Sequence, residues 1–278
     1  MPFGPTHPLV STAWLNEHLA DDRLVLLDCR WRLLDVPYGV DAFESGHIPG
    51  ARFIDLHEQL SGPPGRYGGR HPLPLPGAFQ QTMEALGVDD ADYVICYDDD
   101  GAGAARCWWL MQYYGHAQVA VLDGGYPAWI EQGRPVSTAP PAPRPARFTP
   151  RPDPRMIADY ETVRNISGTL PIVDARLPER YRGTVEPIDV KAGHIPGAVN
   201  QPYPEMFATG LYFRTPQELE KLWEPVLARS REPIVYCGSG VTACLDILAL
   251  RLAGADPLLY PGSWSDWIQH EDAPTAAP

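Results

Sequence analysis

Cys237 closes a short run of strand-forming residues, Ile234-Val-Tyr236, and is followed by Gly238-Ser-Gly-Val-Thr242 before an apolar helical pattern opens at Ala243. A cysteine at the junction of a strand and a glycine-rich turn is placed for nucleophilic chemistry. The two glycines permit a tight fold, so the N–H groups of Gly238, Ser239, Gly240, Val241 and Thr242 can converge on the sulfur, and the following helix adds its positive end to the same place. A free thiol titrates near ~8.5, and such surroundings lower it to roughly 3.5 to 7.5. The expected chemistry is that of an anionic sulfur held by donors, which requires that those amides face the sulfur and that solvent reach it. Cys244, seven positions on, falls in the helical apolar pattern and is expected in the core.

The elements that must carry this site alternate between strand and helix. Ser11 or Thr12 is placed to cap a helix over 13–19, residues 24–28 read as a wholly buried strand, and 52–56 are expected to be extended. Between residues 61 and 76 the chain is rich in glycine and proline and carries Arg66, Arg70 and His71, which predicts a long irregular loop of the kind often used for function. A helix over 78–86, a strand over 93–97, a helix over 104–114 and a strand over 119–122 follow. This order predicts an α/β fold, each domain a parallel sheet flanked by helices.

The second half repeats the first. Leu26-Leu-Asp-Cys-Arg30 returns as Ile172-Val-Asp-Ala-Arg176, Gly46-His-Ile-Pro-Gly-Ala51 as Gly193-His-Ile-Pro-Gly-Ala198, Leu122-Asp-Gly-Gly125 as Tyr260-Pro-Gly-Ser263, and Trp129 as Trp267. Order and spacing are kept, so the chain is a duplicated domain. Proline dominates the stretch between the copies, which predicts a stiff extended connector over 135–154 joining an N-terminal domain, 1–134, to a C-terminal one, 155–278. Laid over the second copy, the first has Asp98 where Cys237 stands. The N-terminal domain is therefore expected to be catalytically inactive, and the C-terminal domain to do the chemistry.

Composition narrows the class further. The chain has 278 residues, 44% of them hydrophobic, enough for two cores, and a net charge of −13 with no basic cluster, which argues against nucleic acid. No apolar run reaches the ~18 residues of a membrane span, and the start lacks the marks of a signal peptide. Five cysteines, Cys29, Cys96, Cys107, Cys237 and Cys244, read as reduced thiols, so a soluble, cytoplasmic protein is expected. No cysteine or histidine spacing suggests zinc, and no metal or other cofactor is expected. His47 and His194, each before a proline turn, read as braces of the fold, and Trp108, Trp109, Trp264 and Trp267 as packing residues.

The paired Gly-His-Ile-Pro-Gly-Ala segments and the Cys-Gly-Ser-Gly-Val-Thr-Ala loop closely resemble those of tandem-domain rhodanese-like sulfurtransferases, over essentially the whole chain. The resemblance implies two rhodanese-like domains and a ping-pong reaction in which Cys237 accepts a sulfane sulfur from a small anionic donor, becomes a persulfide and passes the sulfur to cyanide, a thiol or a protein. The loop is similar to that of 3-mercaptopyruvate enzymes, whereas thiosulfate enzymes more often carry basic residues after the cysteine; thiosulfate remains the alternative donor. By the same resemblance Arg180 matches an arginine that binds the substrate carboxylate, with Arg182 as a further member. The second substrate arginine of the family is missing from Val185-Glu-Pro-Ile-Asp-Val190. Ser239 and His71 match two members of a Ser-His-Asp relay, while His57 occupies the aspartate position and Asp55 lies close by in sequence. Two other classes compete. A cysteine phosphatase would need an arginine at the end of the loop, where Ala243 stands, and a non-enzymatic sulfur-carrier or docking module would not need the intact loop.

Overall fold

In the computed structural model, residues 7–166 and 169–277 are described, and they form two compact units. The first comprises residues up to Ser61, Pro74–Asp153 and Thr209–Phe213; the second comprises Gly62–Leu73, Pro154–Ala208 and Arg214 onward. The units depart from the expected contiguous division at residues 62–73, in the connector, and at Thr209–Phe213. The loop 62–73 belongs with the second unit, because Gly68 N–H donates to Asp266 Oδ1 and Arg70 N–H to Ser265 Oγ. The proline-rich connector packs on the first unit, where Arg144 pairs with Asp92, Phe148 is buried and Arg147 O accepts from Asp90 N–H.

The first unit holds a five-stranded parallel sheet of β1 (Leu9–Val10), β2 (Leu24–Asp28), β3 (Arg52–Phe53), β4 (Tyr93–Tyr97) and β5 (Val119–Leu122), in the order β1-β5-β4-β2-β3. Helices α1 (Thr12–His18), α2 (Tyr38–Ser45), α3 (Pro76–Ala85), α4 (Ala102–Tyr113) and α5 (Gly125–Glu131) connect the strands. Ser11 caps α1 by accepting from Trp14 N–H, as its position in the sequence predicts. The extended run expected over 52–56 stops at Phe53, because the Asp55 carboxylate accepts the amides of His57 and Glu58 and turns the chain.

The second unit repeats the plan with a four-stranded sheet, β11-β10-β6-β7, built from β6 (Ile172–Asp174), β7 (Val199–Asn200), β10 (Ile234–Tyr236) and β11 (Leu258–Leu259). Two short strands, β8 (Phe207–Thr209) and β9 (Tyr212–Phe213), intervene in sequence, and the helices are α6 (Tyr160–Ile166), α7 (Pro178–Tyr181), α8 (Pro216–Leu227), α9 (Ala243–Leu252) and α10 (Ser263–Trp267). Each copy has the same internal braces. Arg30 Nη2 donates to Asp28 at 2.6 Å and to Gly46 O at 2.8 Å, and Arg176 Nη2 donates to Asp174 at 2.7 Å and to Gly193 O at 2.7 Å. These buried guanidiniums tie the end of a central strand to the Gly-His-Ile-Pro turn, with every charge paired as burial demands. Trp129 and Trp267 each donate an indole N–H to a proline carbonyl, and His47 and His194 bond to backbone carbonyls. No described helix is long and apolar enough to cross a membrane.

Candidate active site

Strand β10 is wholly buried and delivers Cys237 to the carboxyl end of the second sheet, where open α/β folds place their ligands. The loop that follows turns back at Gly240, whose φ of +78° suits glycine, and there its N–H donates to Cys237 Sγ at 3.2 Å. A β-carbon on Gly240 would lie 2.3 Å from Pro261 O, so the approach that aims this amide is open only to glycine. Helix α9 then begins at Ala243, and its first N–H groups lack partners within the helix. Cys244 is buried in that helix with its thiol directed to Gly240 O, a core position.

A second layer holds the loop from behind. Trp264 N–H donates to Cys237 O and Ser265 N–H to Gly238 O, so the start of α10 clamps the turn. Ser263 has φ +55°, a strained value for a residue with a side chain, and its hydroxyl accepts from Cys237 N–H at 3.1 Å while donating to Tyr260 O. The corresponding position of the first copy is Gly125, at φ +59°. Sequence reasoning did not single out Ser263; the one available signal is this glycine-to-serine difference between the repeats.

The first unit builds the same loop around a carboxyl group. There the Asp98 side chain accepts from Gly101 N–H at 2.8 Å and Ala104 N–H at 2.8 Å, and Gly101, three residues past Asp98 as Gly240 is three past Cys237, has φ +87°. Burial and the neighbouring Asp100 nevertheless push this carboxyl well up. A carboxyl group of the chain itself thus fills the turn that in the second unit faces a sulfur, and the amides of the turn serve as donors in both copies.

Above the loop lie two arginines. A β-carbon on Gly238 would come within 3.0 Å of Arg70 Nη2 and 3.3 Å of Arg180 Nη1, so both guanidiniums cover the residue next to the cysteine. Arg180 donates to Glu186 at 2.8 Å and to Asp189 Oδ2 at 2.9 Å, and Arg70 pairs with the other oxygen of Asp189. Burial pushes the Glu186 carboxyl up, but Arg180 and the amides of Asp189 and Ile188 outweigh it and hold it below the usual range. For Asp189, burial prevails and its carboxyl is pushed up. Cys237 itself is only 1% exposed, contrary to the open thiol expected from sequence, while the Gly240 amide faces its sulfur.

The remaining expected residues divide. His71 and Ser239 are brought together, both buried, with His71 Nδ1 2.8 Å from Ser239 Oγ. Arg182 sits exposed at the C-terminal cap of α7. His57 belongs to the first unit, where its ring packs against Trp31, and Asp55 is engaged with backbone amides. Of the five loop amides expected to converge on the sulfur, among the described residues that of Gly240 is bonded to it, and those of Gly238, Ser239, Val241 and Thr242 are not. Cys29, Cys96 and Cys107 are buried in the first unit with their sulfurs within 4.8 Å of one another.

With this geometry in hand, comparison with known proteins is direct. The rhodanese-like domain family matches twice, over residues 11–132 and 159–270. The chain is 41% identical to a probable 3-mercaptopyruvate sulfurtransferase of Pseudomonas aeruginosa, over 96% of this chain and 97% of that one. It is 39% identical to a putative thiosulfate sulfurtransferase of Mycobacterium tuberculosis, over 92% and 91%. The solved structure of 3-mercaptopyruvate sulfurtransferase from Leishmania major superposes with a TM-score of 0.85 at 30% identity, covering 96% of this chain and 75% of that one.

Proposed function

Because this chain belongs to the tandem rhodanese-like sulfurtransferases, we propose that it moves sulfur from 3-mercaptopyruvate to a thiophilic acceptor through a persulfide on Cys237. The observation that carries this reading is the Gly240 amide donating to Cys237 Sγ, since a donor aimed at sulfur stabilises both the attacking thiolate and the persulfide anion that replaces it. In the first half-reaction the Cys237 thiolate attacks the donor sulfur, and an S–S bond forms as the donor C–S bond breaks. The electron pair left on carbon takes up the donor's thiol proton, giving pyruvate and the Cys237 persulfide anion. In the second, cyanide or a thiolate attacks the outer sulfur, the S–S bond breaks, and Cys237 thiolate returns. The His71–Ser239 couple supports proton movement, with the Ser239 hydroxyl, two residues from Cys237 along the loop, carrying the proton toward carbon.

Arg180 takes the donor carboxylate, for which a planar fork of N–H groups is suited. Arg70 and Arg180 are matched by Glu186 and Asp189, so the mouth of the site has no surplus of positive charge, which favours a monoanionic donor over thiosulfate. Since Cys237 is buried, entry of a donor requires movement around the loop. The thiol form of all five cysteines supports a cytoplasmic setting. The N-terminal copy, with Asp98 at the nucleophile's position, has no sulfur chemistry of its own. Turnover with each donor at matched concentration, using cyanide as acceptor, tests the reading. The expected result is a higher kcat/KM for 3-mercaptopyruvate; a preference for thiosulfate would overturn the choice of donor.

A further inference from the structure

The loop 62–73 brings a second arginine to the catalytic turn from outside the sequence neighbourhood of Arg180. Gly69 makes this possible. At φ +78°, a β-carbon there would sit 2.3 Å from Gly262 O and 2.8 Å from Ser265 Oγ, so only glycine lets the loop lie directly on the turn before α10. The next residue, Arg70, is then fixed by its own amide on Ser265 Oγ and extends over Gly238.

Between Arg70 and Arg180 lies the Asp189 carboxylate, one oxygen on each guanidinium. This is the arrangement a carboxylate ligand would take: two forks, one anion, placed beside the residue that follows the nucleophile. Arg70 Nε is buried and has no hydrogen-bond acceptor among the described residues, so the side chain retains a donor for an incoming group. Arg70 and Asp189 also line a cavity of about 330 Å³ whose walls include Pro64, Arg66, Ile188 and Val190, room for a small organic acid.

We propose that Arg70 is a specificity-determining residue of this enzyme, binding the carboxylate of a 2-oxo acid together with Arg180 at the position now held by Asp189. The proposal deepens the donor reading above and rests on it for the identity of the acid. Val190, where the sequence pattern lacks an arginine, is 94% exposed; the second positive charge reaches the site from residue 70 instead.

The test separates anion binding from sulfur chemistry by using pyruvate, a 2-oxo carboxylate with no sulfur to give. Binding of pyruvate to the full-length protein is measured by titration calorimetry, and steady-state kinetics with 3-mercaptopyruvate are measured in parallel, for wild type, Arg70→Gln and Arg70→Lys. The expected result is a Kd for pyruvate and a KM for 3-mercaptopyruvate both raised about tenfold or more in Arg70→Gln, the loss of a charge-assisted pair. In the same variant kcat stays within about threefold, and Arg70→Lys, which keeps the charge but not the fork, falls between. Unchanged pyruvate affinity and KM in an Arg70→Gln protein of wild-type melting temperature would overturn the proposal, as would a loss confined to kcat or a wild type that does not bind pyruvate. A wild type that binds pyruvate through Arg70 yet fails to turn over 3-mercaptopyruvate would leave Arg70 as the anion-binding residue and refute only the donor reading.

Discussion

Replacing Gly240 by alanine perturbs the one amide that touches the nucleophile, and the structure supplies the size of the effect. The left-handed backbone at φ +78° costs a side chain about 1–2 kcal/mol. The new β-carbon would also stand 2.3 Å from Pro261 O, against an ordinary contact of at least 3.4 Å, so the two backbones must part by about 1 Å (3.4 − 2.3). Moving by that amount takes the amide from 3.2 Å to beyond hydrogen-bond reach of Cys237 Sγ. Loss of one such donor to a developing anion lowers kcat by about 10²–10³-fold. Gly254, at φ +74° with nothing within 4 Å of a β-carbon, supplies the control: Gly254→Ala carries the same backbone cost without the contact. Turnover of 3-mercaptopyruvate with cyanide, read beside thermal melting, should show both variants melting several degrees lower and only Gly240→Ala losing activity. A Gly240→Ala enzyme within about threefold of wild-type kcat would refute the view that this amide stabilises sulfur anions.

Two further outcomes follow from buried groups around the same loop. Ser263→Gly removes both the strain at φ +55° and the hydroxyl that holds Cys237 N–H, effects of about 1 kcal/mol each that oppose one another. Ser263→Ala loses the same hydroxyl but keeps the strain, so it should melt lower than Ser263→Gly by the equivalent of about 1–2 kcal/mol, and equal melting temperatures would contradict the strain at this position. Asp246, wholly buried on α9 with neither carboxyl oxygen hydrogen-bonded among the described residues, has its carboxyl pushed well up by burial and by the negative charge of Cys237. The folded state therefore keeps a proton that the unfolded chain releases above about pH 4. Its contribution is intact below that pH, and as pH rises toward the folded value wild type loses about 1.4 kcal/mol per unit. The advantage of Asp246→Asn over wild type in melting temperature should grow from pH 4 to pH 7; a flat difference would mean that Asp246 is not held protonated.

Much of this architecture is readable in one dimension because its signals are local. Residues 24–27, closed by Asp28, and residues 93–97 and 234–236 are unbroken apolar, aromatic or β-branched runs, and 24–28, 93–97 and 234–236 each form a buried central strand. The glycine spacing after Cys237 announces the turn, and the repeated Gly-His-Ile-Pro-Gly-Ala segments announce the duplication. Features set by distant contacts are less visible. Residues 62–73 belong with the second unit because of bonds to Ser265 and Asp266, nearly two hundred positions away, and nothing in their own composition says so. The same holds for Arg70, whose partner is Asp189, and for the burial of Cys237. The strand expected over 52–56 fails for a local reason that the sequence did carry: Asp55 offers a carboxylate to the two amides that follow it and favours a turn.

Intact-mass analysis of the protein after incubation with 3-mercaptopyruvate, followed by peptide mapping, tests the central claim most directly. The account predicts a gain of one sulfur atom on the peptide containing Cys237, lost on addition of cyanide with release of thiocyanate, and absent from Cys237→Ser. Sulfur found on Cys244 or on a cysteine of the first unit, or turnover retained in Cys237→Ser, would contradict it.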